Sequence, residues 1–280
     1  MKSVHKNIKI FQFSIICTFF LNVNLWAESY SDSIYKENIH TVQIHREGWK
    51  LSYPIITLNE DLALLLSFDD ISDEVKNYHY KIIHCNSDWK ESELTEYEYI
   101  EGYLQNQIDN YSFSFNTYVD YVHYSLNLPN DDVKFKISGN YIIEVYEDFD
   151  ETNVIFTKRF IIAEKLTNIM AEVKRPIMYE YRDIGHEIKF SIDLGSFDVN
   201  DPYNDIKTII LQNGRWDNCI KDLKPLFNRD GVLEYDHQSE NVFNAGNEFR
   251  WFDLKSTRYQ SPYIKSITFK DEQYYATLFP

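Results

Sequence analysis

Several residue groupings in this chain could do chemistry, and each can be tested against the elements that would have to hold it. His84-Cys85 places a base beside a thiol, the pairing that activates a sulfur nucleophile. The surrounding run Tyr78-His79-Tyr80-Lys81-Ile82-Ile83-His84 alternates as a strand. Neighbours on a strand point to opposite faces, so His84 and Cys85 cannot share a hydrogen bond. His79 and Cys85 do share a face, but six residues of strand put them about 20 Å apart, beyond the reach of one zinc ion. Core packing is therefore the expectation for Cys85. The acids Asp69-Asp70 with Asp73-Glu74, and Glu147-Asp148 with Asp150-Glu151, are candidate calcium loops. Both lack the Asp-x-Asp-x-Asp-Gly spacing that wraps oxygens around that ion, and both fall where turns are expected. They read as solvated acidic turns.

The remaining chemistry is thinner still. With 44 acidic residues a carboxylate pair for glycoside hydrolysis is easy to assemble, but no pair stands out at a strand end. Trp49, Trp89, Trp216 and Trp251 could form a sugar-stacking platform, although tryptophan in a sandwich more often fills the core. No Gly-rich phosphate loop, serine elbow or metal-ligand cluster is present in the sequence, and no cofactor is implied. A binding or structural protein is expected, not an enzyme.

The elements behind these residues are strands. Period-two alternation marks 40–44, 62–68, 78–84, 111–115, 121–128, 141–146 and 154–162. It resumes at 187–192, 205–212, 248–253, 264–269 and 274–279. Asn213-Gly214 and Asp230-Gly231 are hairpin turns, because these residues accept positive φ. About seven short strands separated by turns predict an immunoglobulin-like β-sandwich over 36–164. The stretch 163–176 reads as a joint, and 165–280 as a second all-β sandwich, shortened at its C-terminus because the last strand runs directly into Pro280. No internal repeat or low-complexity tract is found.

The first 27 residues predict a cleaved signal peptide. Lys2, Lys6 and Lys9 precede an apolar run from Ile8 to Leu25, and Leu25-Trp26-Ala27 offers a small-residue cleavage point. The run is short for a membrane span, and Cys17 lacks the small preceding residue of a lipidation site. A short linker, 28–35, follows. The whole chain carries 28 basic and 44 acidic residues, a net charge of −16; loss of three lysines and no acid leaves 25 against 44, or −19. Such a surface disfavours nucleic acid and anionic lipid. Cys85 and Cys219 remain, distant in sequence, and read as free thiols.

Longer strings carry a family likeness. They are His45-Arg46-Glu47-Gly48-Trp49-Lys50-Leu51-Ser52-Tyr53-Pro54-Ile55-Ile56, Tyr80-Lys81-Ile82-Ile83-His84-Cys85-Asn86-Ser87-Asp88-Trp89 and Ser138-Gly139-Asn140-Tyr141-Ile142-Ile143-Glu144-Val145-Tyr146. Leu211-Gln212-Asn213-Gly214-Arg215-Trp216-Asp217-Asn218, Asn241-Val242-Phe243 with Gly246-Asn247-Glu248-Phe249-Arg250, and Lys255-Ser256-Thr257-Arg258-Tyr259-Gln260 continue it. Together they resemble the type IX secretion system plug protein family of Bacteroidota, across nearly all of the chain after the leader. The resemblance implies a periplasmic protein at the outer membrane that seals the periplasmic mouth of the system's large translocon barrel when no cargo passes. It also implies no small-molecule substrate and no membrane span of its own, and family members usually continue beyond the point matching Pro280. Candidate contacts are Arg215, Trp216 and Asp217 in one hairpin and Arg250, Phe252, Lys255, Arg258 and Tyr259 further on, since Arg and aromatics favour binding hot spots. The competing reading puts Trp216 and Phe252 in the core and Arg258 on an internal carboxylate. The alternative function is a secreted carbohydrate-binding or adhesin-like module.

Overall fold

The computed structural model describes residues 29–72, 74–246 and 252–279. The signal peptide, Trp251 and most of the expected strand 248–253 lie outside the described residues. The chain divides into two compact units, one up to Glu164 and one from Lys165.

In the first unit the strands run in the order β1 (Ser33–Ile34), β2 (Ile39–Arg46), β3 (Ile55–Thr57), β4 (Leu64–Asp70) and β5 (Tyr78–Cys85). A single helical turn, α1 (Glu96–Tyr99), leads into β6 (Ile100–Gly102), β7 (Gln105–Gln107), β8 (Asn110–Phe113) and β9 (Val122–Leu128). β10 (Val133–Phe135), β11 (Gly139–Glu147) and β12 (Val154–Ala163) complete it. One sheet has the order β1-β12-β11-β5-β7, with β3 parallel to β12; a second has the order β2-β4-β9-β8, and β6 and β10 form a separate antiparallel pair. Inward residues alternate as the pleat requires: Leu64, Leu66 and Phe68 from β4 meet Tyr78, Tyr80 and Ile82 from β5 and Phe156 and Phe160 from β12. This is a β-sandwich with one core.

The stretch read as a linker is not loose. Tyr30 N–H donates to the Trp89 carbonyl (2.9 Å), Thr157 Oγ1 donates to the Ser31 carbonyl (2.7 Å), and β1 pairs with β12. Lys158 and the Arg159 N–H both reach Asp32, so the polar outer edge of β12 draws this segment in.

Asp70 closes β4. Its side chain is fully buried, unlike the solvated turn that the acid doublet suggests. It accepts hydrogen bonds from Asn38 Nδ2, Ser72 Oγ (3.0 Å) and Tyr78 Oη (2.9 Å), and pairs with Lys76 Nζ at 3.0 Å. Because Tyr78 opens β5, this carboxylate ties one sheet to the other. Around it Phe68 stacks on Tyr124 (5.0 Å, 9°) and meets Tyr78 edge-on at 5.3 Å. Tyr124 Oη accepts the Lys76 N–H (2.8 Å) and donates to its carbonyl (3.1 Å). Every polar atom brought inside by Asp70 thus has a partner, as burial demands.

The second unit is thinner. β13 (Asn168–Lys174), β14 (Gly185–Asp193), β17 (Phe227–Arg229) and β18 (Val232–Tyr235) form a sheet in the order β13-β14-β18-β17, and β19 (Val242–Asn244) pairs with β14. β15 (Ile209–Gln212) and β16 (Arg215–Lys221) form a hairpin, as do β20 (Ile264–Lys270) and β21 (Gln273–Leu278). Phe190, Ile192, Leu233 and Tyr235 make a small core, against which Ile210 and Ile220 of the hairpin pack. Two expectations are corrected. The supposed joint contains β13, whose Ile169, Ala171 and Val173 alternate as a strand, so only residues 164–167 connect the units. The expected strand from Asp205 begins at Ile209, because Asp201 and Pro202 cap and start a helical turn, α2 (Pro202–Asp205).

Burial opposes ionisation of Asp70, but the bonds from Asn38, Lys76, Tyr78 and Ser72 outweigh it and hold the carboxyl below the usual range. A depressed folded value stabilises the protein above about pH 4, and that contribution is lost as pH falls through the folded value. Asp70→Ala strands Lys76 and Tyr78 and is expected to cost about 3–5 kcal/mol, lowering the first unit's melting temperature by about 10–17 °C. In thermal melts from pH 7 to pH 3 the variant should also lose stability less steeply than the parent.

Candidate partner-binding surface

The hairpin that carries three of the predicted contacts is built by its turn. Asn213 and Gly214 both adopt positive φ (55° and 72°), the pair of left-handed residues that a tight two-residue hairpin requires. Gln212 then faces Arg215, and its Nε2 donates to the Asn244 carbonyl at 2.7 Å, tying the hairpin to β19. Arg215 and Asp217 share the exposed face, where Arg215 donates a forked pair of hydrogen bonds to the carboxylate, Nε to Oδ1 at 3.0 Å. That bond holds Asp217 below the ordinary carboxylate range and raises Arg215. Trp216 turns the other way and is half-buried, with the Cys219 thiol donating to its carbonyl (2.9 Å).

The second group occupies irregular chain. Phe252 is 45% and Tyr259 77% exposed, and Lys255 and Arg258 are exposed beside them. The Lys255 N–H bonds to Asp253 Oδ1 (2.8 Å) and the Arg258 N–H to Ser256 Oγ (3.2 Å), which gives this stretch its local turns. Phe252 is therefore a surface residue, not a core one. Arg250 lies outside the described residues.

Sequence reasoning placed no protein-partner contacts in the first unit and singled out Trp49 only for a sugar platform, yet the connection from β2 to β3 holds Trp49 (59% exposed), Leu51 (89%) and Tyr53 (52%) outward. Gly48 and Pro54, which bracket these three between two strands, are the signal that could have found them. Phe115 and Tyr118 are likewise exposed at the tip between β8 and β9. In the second unit a groove of about 570 Å³ is lined by residues that include Met170, Ser191, Lys189 and Arg229. Its cations are already engaged, Lys189 by Asp236 (2.8 Å) and Arg229 by Glu234 (3.4 Å).

The chemically suggestive residues are absorbed by the fold. His84 bonds Ser92 Oγ (2.9 Å) and packs against Tyr99 and Tyr141; a Cβ on Gly139 would come within 2.3 Å of its ring. Cys85 is 2% exposed, and burial pushes its thiol up to about 12, far from a nucleophile's value. Asp69 pairs with His123 (2.6 Å), Asp150 caps its own turn through Thr152, and Glu151 takes Lys81 (3.0 Å). Among the described residues no group of three or more His, Cys, Asp or Glu could hold a metal ion. Trp89 is 2% exposed with the Arg159 guanidinium 4.6 Å over its ring, which removes it from any sugar platform.

Fold and surface together define a class: an all-β protein with a β-sandwich first unit that exposes aromatic and cationic side chains on hairpins and loops. Residues 39–164 match the family model of the type 9 secretion system plug protein 1st domain. Residues 39–164 are therefore a type 9 secretion system plug protein 1st domain, the first of the two units. A crystal structure of a hypothetical protein from Parabacteroides merdae is 31% identical with a TM-score of 0.84; the match covers 90% of this chain and 63% of that one. The chain thus spans less than two thirds of that relative's length. An alkylpurine DNA glycosylase, AlkC, from Pseudomonas fluorescens bound to abasic-site DNA is 11% identical with a TM-score of 0.25, over 45% of this chain and 31% of that one, too low a score to carry an argument. No curated protein matches.

A folded thiol near 12 against an unfolded value near 8.5 stabilises the protein fully below pH 8.5, and that contribution is lost as pH rises toward 12. Thiol titration at pH 8 should therefore label Cys219, half-exposed, at least about tenfold faster than Cys85. Cys85 should react at the Cys219 rate only in denaturant.

Proposed function

We propose that this protein is a periplasmic plug that binds the large outer-membrane translocon barrel of the type IX secretion system and seals its periplasmic opening when no cargo passes. The observation that carries the reading is the family match over residues 39–164, which falls on a complete, well-packed sandwich. A wide barrel leaves an aqueous lumen that it cannot close by itself, so sealing calls for a folded body of comparable width. A unit whose sheets are locked by a buried carboxylate network and an aromatic core supplies such a body without moving parts. Release must also be possible, which favours a modest, polar interface over an obligate apolar one.

The contact residues proposed for this interface are Arg215, Trp216, Asp217, Arg250, Phe252, Lys255, Arg258 and Tyr259. All but Arg250 are described, and all of those are exposed or half-exposed. Arg215 and Asp217 saturate one another, so they offer a partner a fixed, nearly neutral pair instead of a free charge.

The test is capture of the barrel from detergent-solubilised outer membranes by the tagged protein. The native chain should retain one very large β-barrel protein as its main partner. A combined Phe252→Ala, Arg258→Ala and Tyr259→Ala variant should retain at least about tenfold less, as loss of hot-spot residues predicts. Capture of no barrel overturns the reading, and undiminished capture by the variant overturns the assigned surface.

A further inference from the structure

We propose that β13 is a self-complementary edge through which two copies of this chain pair, joining their second-unit sheets into one. Among the described strands β13 pairs with β14 alone, and all of its residues but Lys174 are exposed. Natural edge strands are defended by proline, bulges or inward charges, because an open ladder invites another strand. Asn168–Lys174 contains no proline and stays in unbroken register with β14 over seven residues; its two charges, Glu172 and Lys174, lie on the face away from Ile169 and Val173, and Lys174 is held by Glu187 (3.0 Å) and Asp236 (3.2 Å). Its apolar side chains are also left uncovered. Ile169, Ala171 and Val173 oppose Ile192, Phe190 and Ile188, and so lie on the core face of the sheet, yet Ile169 is 62% and Val173 64% exposed. Among the described residues of the second unit, the apolar layer therefore runs out to an edge that no strand pairs.

The sequence of this edge selects the occupant. An antiparallel pairing about a two-fold axis at Ala171 sets Ile169 opposite Val173, Met170 opposite Glu172 and Asn168 opposite Lys174 of the second copy, and uses every residue of the strand. Both Ile–Val pairs then fall on the core face and extend its apolar layer across the axis, and no like charges meet. Other registers fail. Shifting the axis to Glu172 opposes two glutamates, and shifting it to Met170 leaves Val173 and Lys174 unpaired. Placing it between residues sets Ile169 opposite a polar-face residue, so the core layers of the two copies lie on opposite sides of the joined sheet. The favoured interface is isologous, each copy giving the same strand, and the inference stands apart from the plug reading.

Sedimentation velocity over a concentration series tests it. The native chain should show a reversible monomer–dimer equilibrium, and Ile169→Lys with Val173→Lys, which opposes lysines at both apolar pairs, should weaken it at least about tenfold. Ile169→Lys and Val173→Glu, each weakened alone, should recover association when mixed, since the mixed pair sets Lys against Glu. Unchanged circular dichroism keeps the comparison valid; if the double variant does not fold, the mixing experiment decides alone. A native chain that stays monomeric throughout, a double-lysine variant that dimerises as the native chain does, or a mixture no stronger than its components overturns the proposal.

Discussion

The buried Asp70 carboxylate is the constraint around which the first unit is organised. A charge with no exposed surface is tolerated only when partners replace all of its hydration, and here they come from three places. Asn38 precedes β2, Ser72 and Lys76 lie in the β4–β5 connection, and Tyr78 begins the opposite sheet. Meeting one carboxylate's needs therefore fixes the end of one sheet against the start of the other. The aromatic cluster of Phe68, Tyr78 and Tyr124 packs beside that point, and Tyr124 clamps the backbone of Lys76. Hydrogen bonding settles the geometry and apolar burial supplies the driving force.

That division of labour bears on function. The first unit places its titratable groups in structural roles: Asp70 as a staple, Cys85 as packing, Asp69 and His123 as a surface pair. What it offers outward is shape and a few aromatic side chains. The second unit has a smaller core, an exposed hairpin with a self-satisfied Arg215–Asp217 pair, and in β13 an edge that no other described strand pairs.

Much of this was legible in the sequence, and the reasons are physical. Strands such as β4 and β9 were readable because one face of each is buried, which enforces alternation, and Asn213-Gly214 was readable because few residues accept its backbone angles. Asp70 was misread although the signal was there. The alternation that sends Leu64, Leu66 and Phe68 inward also sends Asp70 inward, but an acid doublet beside a turn looks solvated until its four partners, from positions 38 to 78, are brought together. β13 was read as a joint although Ile169, Ala171 and Val173 alternate, because Lys165-Leu166-Thr167 before it and Pro176 after it look like a break between ladders. Exposure was the least legible part, since that of Phe252 or Trp49 is set by the whole fold and not by neighbours in the chain.

The central claim is that this body closes a pore. Its most direct measurement is outer-membrane permeability to a large hydrophilic antibiotic in cells lacking this protein, with and without the translocon barrel. The account predicts uptake that rises only while the barrel is present and returns to the parental level when the protein is restored. Uptake that does not change, or that rises equally without the barrel, would contradict it.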